Sequence, residues 1–318
     1  MTANSSTNID VKHILPKARL ASPFNQELTE RLMQASLVIL GTTDPKKYWG
    51  LDLMEFAILL EAGLRKYIVE PANMAFPECI EQYQALAGKP IHVNEALAWL
   101  DGSPTAAQTI TPEVADEVAA RTRVIGLNGP IGCGKDTLAD VMIAEHGFVR
   151  MSFADALRAA ASIIYHIPMD YFLDRNLKEE PLPHMNGMSP RKVLQLMGTE
   201  VCRGIREDIW ARRLVIRIAA QGTNITGEQR VVISDVRFQN EADLVRSLPN
   251  GQIGRITRPT ESSSTAVLKS AAHASEAGIS AADTDIPLVN AGTIPEYLMS
   301  SLDALSLTQR APTRRLRA

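Results

Sequence analysis

No apolar run in this chain approaches the roughly 20 residues that a membrane-spanning helix needs, so no bilayer crossing is expected. The N-terminal MTANSSTNIDVKH has none of the apolar core of a secretion signal. Cysteine is scarce. Cys79, Cys133 and Cys202 are odd in number and far apart, which fits neither a disulfide framework nor a metal-ligand pattern. These absences predict a reducing, cytoplasmic setting. An excess of one charge is also missing. The 33 Lys and Arg stand against 36 Asp and Glu, for a net −3, and nothing global argues for nucleic acid. The short basic tail at 309–318 reads as a solvated end. No internal repeat and no long low-complexity tract occurs.

What is present is ordinary globular material. A length of 318 residues suggests about two domains. Hydrophobic residues at 45% and charged residues at 22% allow each domain its own core. Residues 1–20 read as a lead-in and 21–104 as a small α/β domain. In that domain ASLVILGTTD (35–44) is read as a buried strand. LDLMEFAILLEAGL (51–64) is read as a helix closed by Gly63, and RKYIVEP (65–71) as a second strand. ECIEQYQALAG and HVNEALAWLDG read as two further helices. Residues 105–121 read as a linker with a short helix. From 122 to 308, apolar strands of four to six residues alternate with helices. That order predicts a parallel sheet covered on both faces.

The most informative stretch is VIGLNGPIGCGKDTLADV, residues 124–141. It follows the phosphate-loop pattern G-x-x-x-x-G-K-[ST], with Gly129, Gly134 and Lys135 in place and Gly132 between them. Asp136 stands where the hydroxyl belongs, and Thr137 follows it. The loop joins an apolar strand to a helix with Leu138, Val141 and Met142 at helical spacing, which is the required context. Glycines let backbone amides turn inward, the helix N-terminus adds partial positive charge, and Lys135 reaches the outer phosphates of a nucleotide. Cys133 reads as a small filler. Either Asp136, through its carboxylate, or Thr137, through its hydroxyl, can take a magnesium ion here.

GKDT followed by LAD resembles the loop of the phage deoxynucleoside monophosphate kinases, a branch of the nucleoside-monophosphate-kinase-like P-loop proteins. In that family an Asp after the lysine is familiar. Further segments resemble the family in the same order. They are SFADALR (152–158), LKEEPLP with GMSPRKVLQLMGTEVCR (177–203), DIWARRL, VVISDVRFQNEA (231–242), HASEAGI and LVNAGTIPEYL. The resemblance spans about 122–305. It implies an α/β fold, a P-loop three-layer parallel-sheet kinase domain preceded by the smaller α/β domain. It also implies ATP and Mg2+ as cofactors and a deoxynucleoside monophosphate as acceptor. No membrane or nucleic-acid partner is expected, and the sequence leaves a homodimer open. A phage relative would work in the host cytoplasm.

The candidate residues each have two readings. Asp235, ending the strand VVISD, reads as a magnesium- or water-holding acid or as a helix cap. Arg237 reads as a grip on the acceptor phosphate or as a partner of Glu241. Asp155 reads as an acid facing the acceptor or as a cap. Arg191, Gln195, Thr199 and Arg203, spaced by four, read as one helix face, with the arginines on the acceptor phosphate and Gln195 on the base. Lys178 and Glu179 lie in a loop that can close over the acceptor. Arg255 and Arg258 flank a Ser/Thr-rich stretch read as a cationic lid, and His273 reads as packing or capping. By resemblance, Asn290, Gly292 and Thr293 hold the adenine. No nucleophile is evident, as expected for phosphoryl transfer, which depends on positioning and charge stabilisation. Residues 20–100 also weakly resemble nucleoside 2-deoxyribosyltransferase-like domains, with Asp44 and Glu55 at the matching positions. Two other functions stay open: a P-loop kinase acting on a modified base in DNA, and a regulatory ATPase without an acceptor.

Overall fold

A computed structural model describes residues 26–41, 46, 49–68, 100, 112–222, 227–259 and 279–307. In chain order its elements begin with α1 (Gln26–Leu40), α2 (Leu53–Tyr67), α3 (Pro112–Ala120), β1 (Thr122–Asn128), α4 (Lys135–His146) and β2 (Val149–Met151). Then come α5 (Asp155–Tyr165), α6 (Asp170–Leu173), α7 (Pro190–Gln195), a π-helical stretch (Leu196–Cys202), α8 (Arg203–Ile205) and α9 (Ile209–Gly222). The last are β3 (Gln229–Ile233), α10 (Gln239–Ser247), β4 (Asn250–Thr257), β5 (Ile286–Val289) and α11 (Ile294–Ala304). The chain divides into two compact units. One takes its described residues from 1–116 and 153–224, the other from 117–152 and 225–318.

The second unit is built on a five-stranded, all-parallel sheet of order β2-β3-β1-β4-β5. β1 is central and apolar on both faces, as a buried parallel strand must be. Ile125 and Leu127 join Leu138 and Met142 of α4 and Tyr297 and Leu302 of α11 in one core. Gly126 points the other way. A Cβ there would lie 2.7 Å from Ile253 of β4 and 2.9 Å from Val236 just past β3, so that face has no room for a side chain. From β1 the chain crosses to β2 on one side, and from β3 to β4 on the other. The carboxyl ends beside β1 are therefore the expected binding crevice of such a sheet.

Gly251 opens β4 under the end of α10. A Cβ there would fall 1.7 Å from the Val245 carbonyl oxygen. Gly251→Ala is expected to cost about 1–3 kcal/mol through forced backbone shifts, read as a lower urea midpoint with an unchanged slope.

The first unit has helices and no strand among its described residues. α1 packs on α5 and α2, α2 on the π-helical stretch, and α9 on α1. Arg31 Nη1 donates to the Ile164 carbonyl (3.0 Å), and Arg213 Nε to that of Val38 (2.8 Å). These contacts correct the reading of the N-terminal region. Residues 35–40, expected as a strand, end a helix whose Leu32, Ala35, Ser36 and Ile39 form a buried stripe at helical spacing. A short apolar run carries no periodicity to separate strand from buried helix. Gly63 does not close α2, which runs on to Tyr67 with Arg65 and Lys66 in its last turn. Its lack of a side chain lets α2 approach Val201, since a Cβ would lie 2.5 Å from Val201 Cγ1. Of the second strand expected at 65–71, Arg65–Tyr67 are helical and 69–71 lie outside the described residues. The helices α1 and α2 thus belong to one compact unit with 153–224, where the sequence suggested a separate α/β domain. Asp44, Cys79, all but the end of the two helices expected near 78–102, His273, the Ser/Thr-rich stretch and the basic tail lie outside the described residues. Among the described residues no helix is long and apolar enough to cross a membrane.

Candidate active site

The candidate residues divide between the two units. In the sheet unit, residues 129–134 turn between β1 and α4. Gly129 (φ 153°) and Gly134 (φ 105°) adopt conformations that side chains rarely take. Space forbids a side chain as well. A Cβ on Gly129 would meet the Ile256 carbonyl oxygen at 2.5 Å, and one on Gly134 would meet Asn290 Nδ2 at 2.7 Å. Gly132 lies at the exposed crest with φ 76°. Cys133 is buried beneath the loop, as a filler would be. Lys135 folds back over the loop, its Nζ donating to the carbonyls of Gly129 (2.6 Å) and Pro130 (2.7 Å). The first N–H groups of α4 have no partner within the helix. Loop, lysine and helix start together form an anion-binding arrangement.

Asp136 and Thr137 stand exposed in the first turn of α4. Asp235 follows β3, and the Ser152 hydroxyl, just past β2, donates to its carboxylate. Asp235 does not cap the next helix. Glu241, buried in α10, accepts the backbone N–H groups of Arg237 (2.9 Å) and Phe238 (3.1 Å) in that role. The Arg237 side chain is exposed. Asp136, Thr137 and Asp235 are all oxygen donors, which suits a hard divalent cation. Magnesium takes one or two carboxylates beside phosphate oxygens and water. It needs no three-residue protein cluster, and none occurs among the described residues.

The C-terminal segment is tied to the loop and to the start of α11. Asn290 Nδ2 donates to the Cys133 carbonyl of the loop (2.8 Å). Gly292 makes an exposed turn, and Thr293 caps α11 in a reciprocal box with Glu296, whose carboxyl is held below its usual range by Thr293. Arg255 Nη1 is spent on the Ile279 carbonyl and on Asp285, which also binds Arg246. Arg258 Nη1 reaches the Gly132 carbonyl (3.3 Å).

In the helical unit, Asp155 opens α5 one residue inside the cap position and is buried. It takes Arg158 Nη1 at 2.7 Å and also binds Arg217 Nη1. Arg217 is 7% exposed. Asp155 is therefore the counter-ion of two guanidiniums. Arg191 pairs with Glu179 (2.5 Å), and Arg203 Nη1 donates to the Glu207 carbonyl (3.0 Å). Arg191, Gln195, Thr199 and Arg203 are all half-buried. In an ideal α-helix each step of four residues drifts by about 40° around the axis. The wider π-helical turn over Leu196–Cys202 takes up that drift, so the spacing of four keeps closer to one face. Such stretches recur at functional sites. Lys178 stands in a 3-10 turn. Burial lowers its pKa first, then the charge of Arg191, with Arg175 and Arg158 adding and Glu179 opposing.

Sequence reasoning missed Ser152, Arg158, Arg217 and Tyr297. Ser152 and Arg158 lie inside the SFADALR segment already singled out. Arg217 had a signal in the helix itself, an arginine four residues after Arg213 on a face otherwise apolar and buried. Tyr297 had none.

Comparison with known proteins fits this geometry. A family described as deoxynucleotide monophosphate kinase matches residues 168–301. A protein of Acanthamoeba polyphaga mimivirus, provisionally named a deoxynucleotide monophosphate kinase, is 34% identical over 191 residues, 55% of this chain and 91% of that one. The ATP-binding cassette sub-family C member 3 of Rattus norvegicus is 22% identical over 166 residues, 51% of this chain and 10% of that protein. That second likeness adds only a similarity to part of a protein named as ATP-binding. The aligned length and identity to the mimivirus protein carry the assignment: this chain belongs to the deoxynucleotide monophosphate kinase family.

Proposed function

We propose that the chain transfers the γ-phosphoryl group of ATP to a deoxynucleoside 5'-monophosphate, giving ADP and the diphosphate. The loop 129–134 with Lys135 and the first turn of α4 holds the donor phosphates. Arg191, Arg203 and Lys178 take the acceptor phosphate, and Arg237, exposed after β3, is a further cation for a phosphate. Gln195 and Thr199 face the base or sugar. The single observation that carries this is the loop itself, with Gly129 and Gly134 in conformations that side chains rarely take and the Lys135 ammonium lying over it at the start of α4. A site built this way is designed for an anion.

The chemistry needs little else. A monophosphate oxygen is already anionic, so no general base is required. Asp155, held by two arginines, orders those cations and removes no proton. The transition state spreads charge over peripheral oxygens, and fixed donors stabilise it without reorganisation. Magnesium, when bound, would be held by Asp235 with Asp136 or Thr137 and would neutralise charge on the donor phosphates. Ser152 fixes the Asp235 carboxylate for that task.

Acceptor binding should raise the Lys178 pKa back toward its ordinary value. Affinity is then full below the lowered pKa of the free enzyme and falls as alkaline pH passes through it. The acceptor KM is expected to rise at alkaline pH in the wild type and to change less in Lys178→Met, as read from a KM–pH profile. The test of the activity is coupled ADP release from magnesium-ATP with dTMP, dGMP, dCMP and dAMP supplied separately. Turnover that depends on at least one of them supports the proposal and names the base. Turnover indifferent to all four, or obtained only with DNA, overturns it.

A further inference from the structure

Three consecutive carbonyls of the phosphate loop each accept a side-chain donor from the chain's C-terminal third. Gly132 accepts from Arg258, Cys133 from Asn290 (2.8 Å) and Gly134 from the Tyr297 hydroxyl (3.2 Å). Arg258 is exposed, but Tyr297 is 1% exposed and Asn290 half-buried. The packing is tight. A Cβ on Gly134 would lie 2.7 Å from Asn290 Nδ2 and 3.0 Å from Tyr297 Cε1, so the loop backbone rests directly on these two side chains.

The peptide unit turns this contact into a functional one. In a trans peptide the C=O and the following N–H point in opposite directions. Holding the Cys133 carbonyl against Asn290 aims the Gly134 N–H the other way. The Gly134 carbonyl accepts both the Leu138 N–H of α4 (3.1 Å) and the Tyr297 hydroxyl, and the second donor secures the same orientation for the Lys135 N–H. We propose that Asn290 and Tyr297 are positioning residues for the donor nucleotide: they lock two loop peptides so that the Gly134 and Lys135 amides face the phosphates. The proposal rests on reading 129–136 as the donor loop. It is a different task from the adenine contact that the resemblance implies for Asn290. Burial pushes the Tyr297 phenol well above its ordinary pKa, so the hydroxyl stays a donor across the working range. The same residue also belongs to the core formed by β1, α4 and α11, which makes the lock rigid.

The test compares Tyr297→Phe, Asn290→Ala and Asn290→Asp with Lys135→Ala, measuring ATP binding alone with a fluorescent ATP analogue and then both KM values. Tyr297→Phe removes one oxygen and keeps the packing. It should weaken ATP binding about 3- to 10-fold, in line with one net hydrogen bond, and leave the acceptor KM unchanged. Asn290→Asp should be worse than Asn290→Ala, because it sets a carboxylate against the Cys133 carbonyl, whereas a role in packing alone would favour the isostere. The proposal is overturned if Lys135→Ala loses ATP-dependent turnover while Tyr297→Phe and Asn290→Ala bind ATP within twofold of wild type. It is also overturned if both KM values rise together. If Lys135→Ala itself keeps full ATP binding and turnover, the donor-loop reading fails first and this proposal falls with it.

Discussion

Lys135→Ala is expected to lower kcat about 10²- to 10³-fold, the scale of losing one charged donor to a transition state in a protected site. The Lys135 ammonium lies over the loop, 2.6 Å from the Gly129 carbonyl and 2.7 Å from that of Pro130. Phosphate oxygens are stronger acceptors than these carbonyls, and the flexible stem lets the ammonium move to them. Alanine leaves the backbone amides and the helix start in place. ATP binding should therefore weaken less than turnover, because the charge that grows in the transition state loses its partner while much of the ground-state cradle stays. Stability should change little, since Lys135 is half-buried and water can reach the two carbonyls it leaves. The measurement is kcat and KM by coupled ADP release, beside a thermal melt. Unchanged turnover would remove the loop from the mechanism.

Asp155→Ala is expected to destabilise the fold by about 3–5 kcal/mol, the scale of stranding a buried charge. Arg217 is 7% exposed, and its Nε has no hydrogen-bond partner among the described residues. The Asp155 carboxylate is what offsets the burial of that guanidinium, and it holds Arg158 as well. Removing the carboxylate leaves a buried cation beside a second one. Asp155→Asn keeps one oxygen acceptor and should cost less. Urea denaturation of both variants checks this. The alternative, a carboxylate that orients the acceptor, predicts the reverse pattern: near-normal stability and a large loss of turnover in Asp155→Asn. A melt like the wild type for Asp155→Ala would favour that alternative.

How far the sequence could be read depended on how local the determining contact was. The phosphate loop was legible because its constraints are local: glycines at fixed spacing, then lysine, then an apolar helical stripe. The parallel sheet was legible for the same reason, through short apolar runs alternating with helices. The run at 35–40 misled, since LVIL fits a buried strand as well as the end of the helix Gln26–Leu40, and only the packing of that helix on Asp155–Tyr165 decides. The π-helical turn over Leu196–Cys202 leaves no mark in a pattern of four-residue spacings. The partner of Asp155 lies 62 residues away in sequence and that of Cys133 lies 157 away, so no local motif names them. Asn290 was noticed as important, but its contact with the Cys133 carbonyl was not legible, because a motif shows a residue and not what it touches.

The central claim is transfer of a phosphoryl group to a monophosphate. The most direct measurement follows the label from γ-³²P ATP in the presence of each deoxynucleoside monophosphate. The account predicts label in the corresponding diphosphate, with loss of that product in Lys135→Ala. Label appearing only as inorganic phosphate, at a rate the monophosphates do not change, would contradict it.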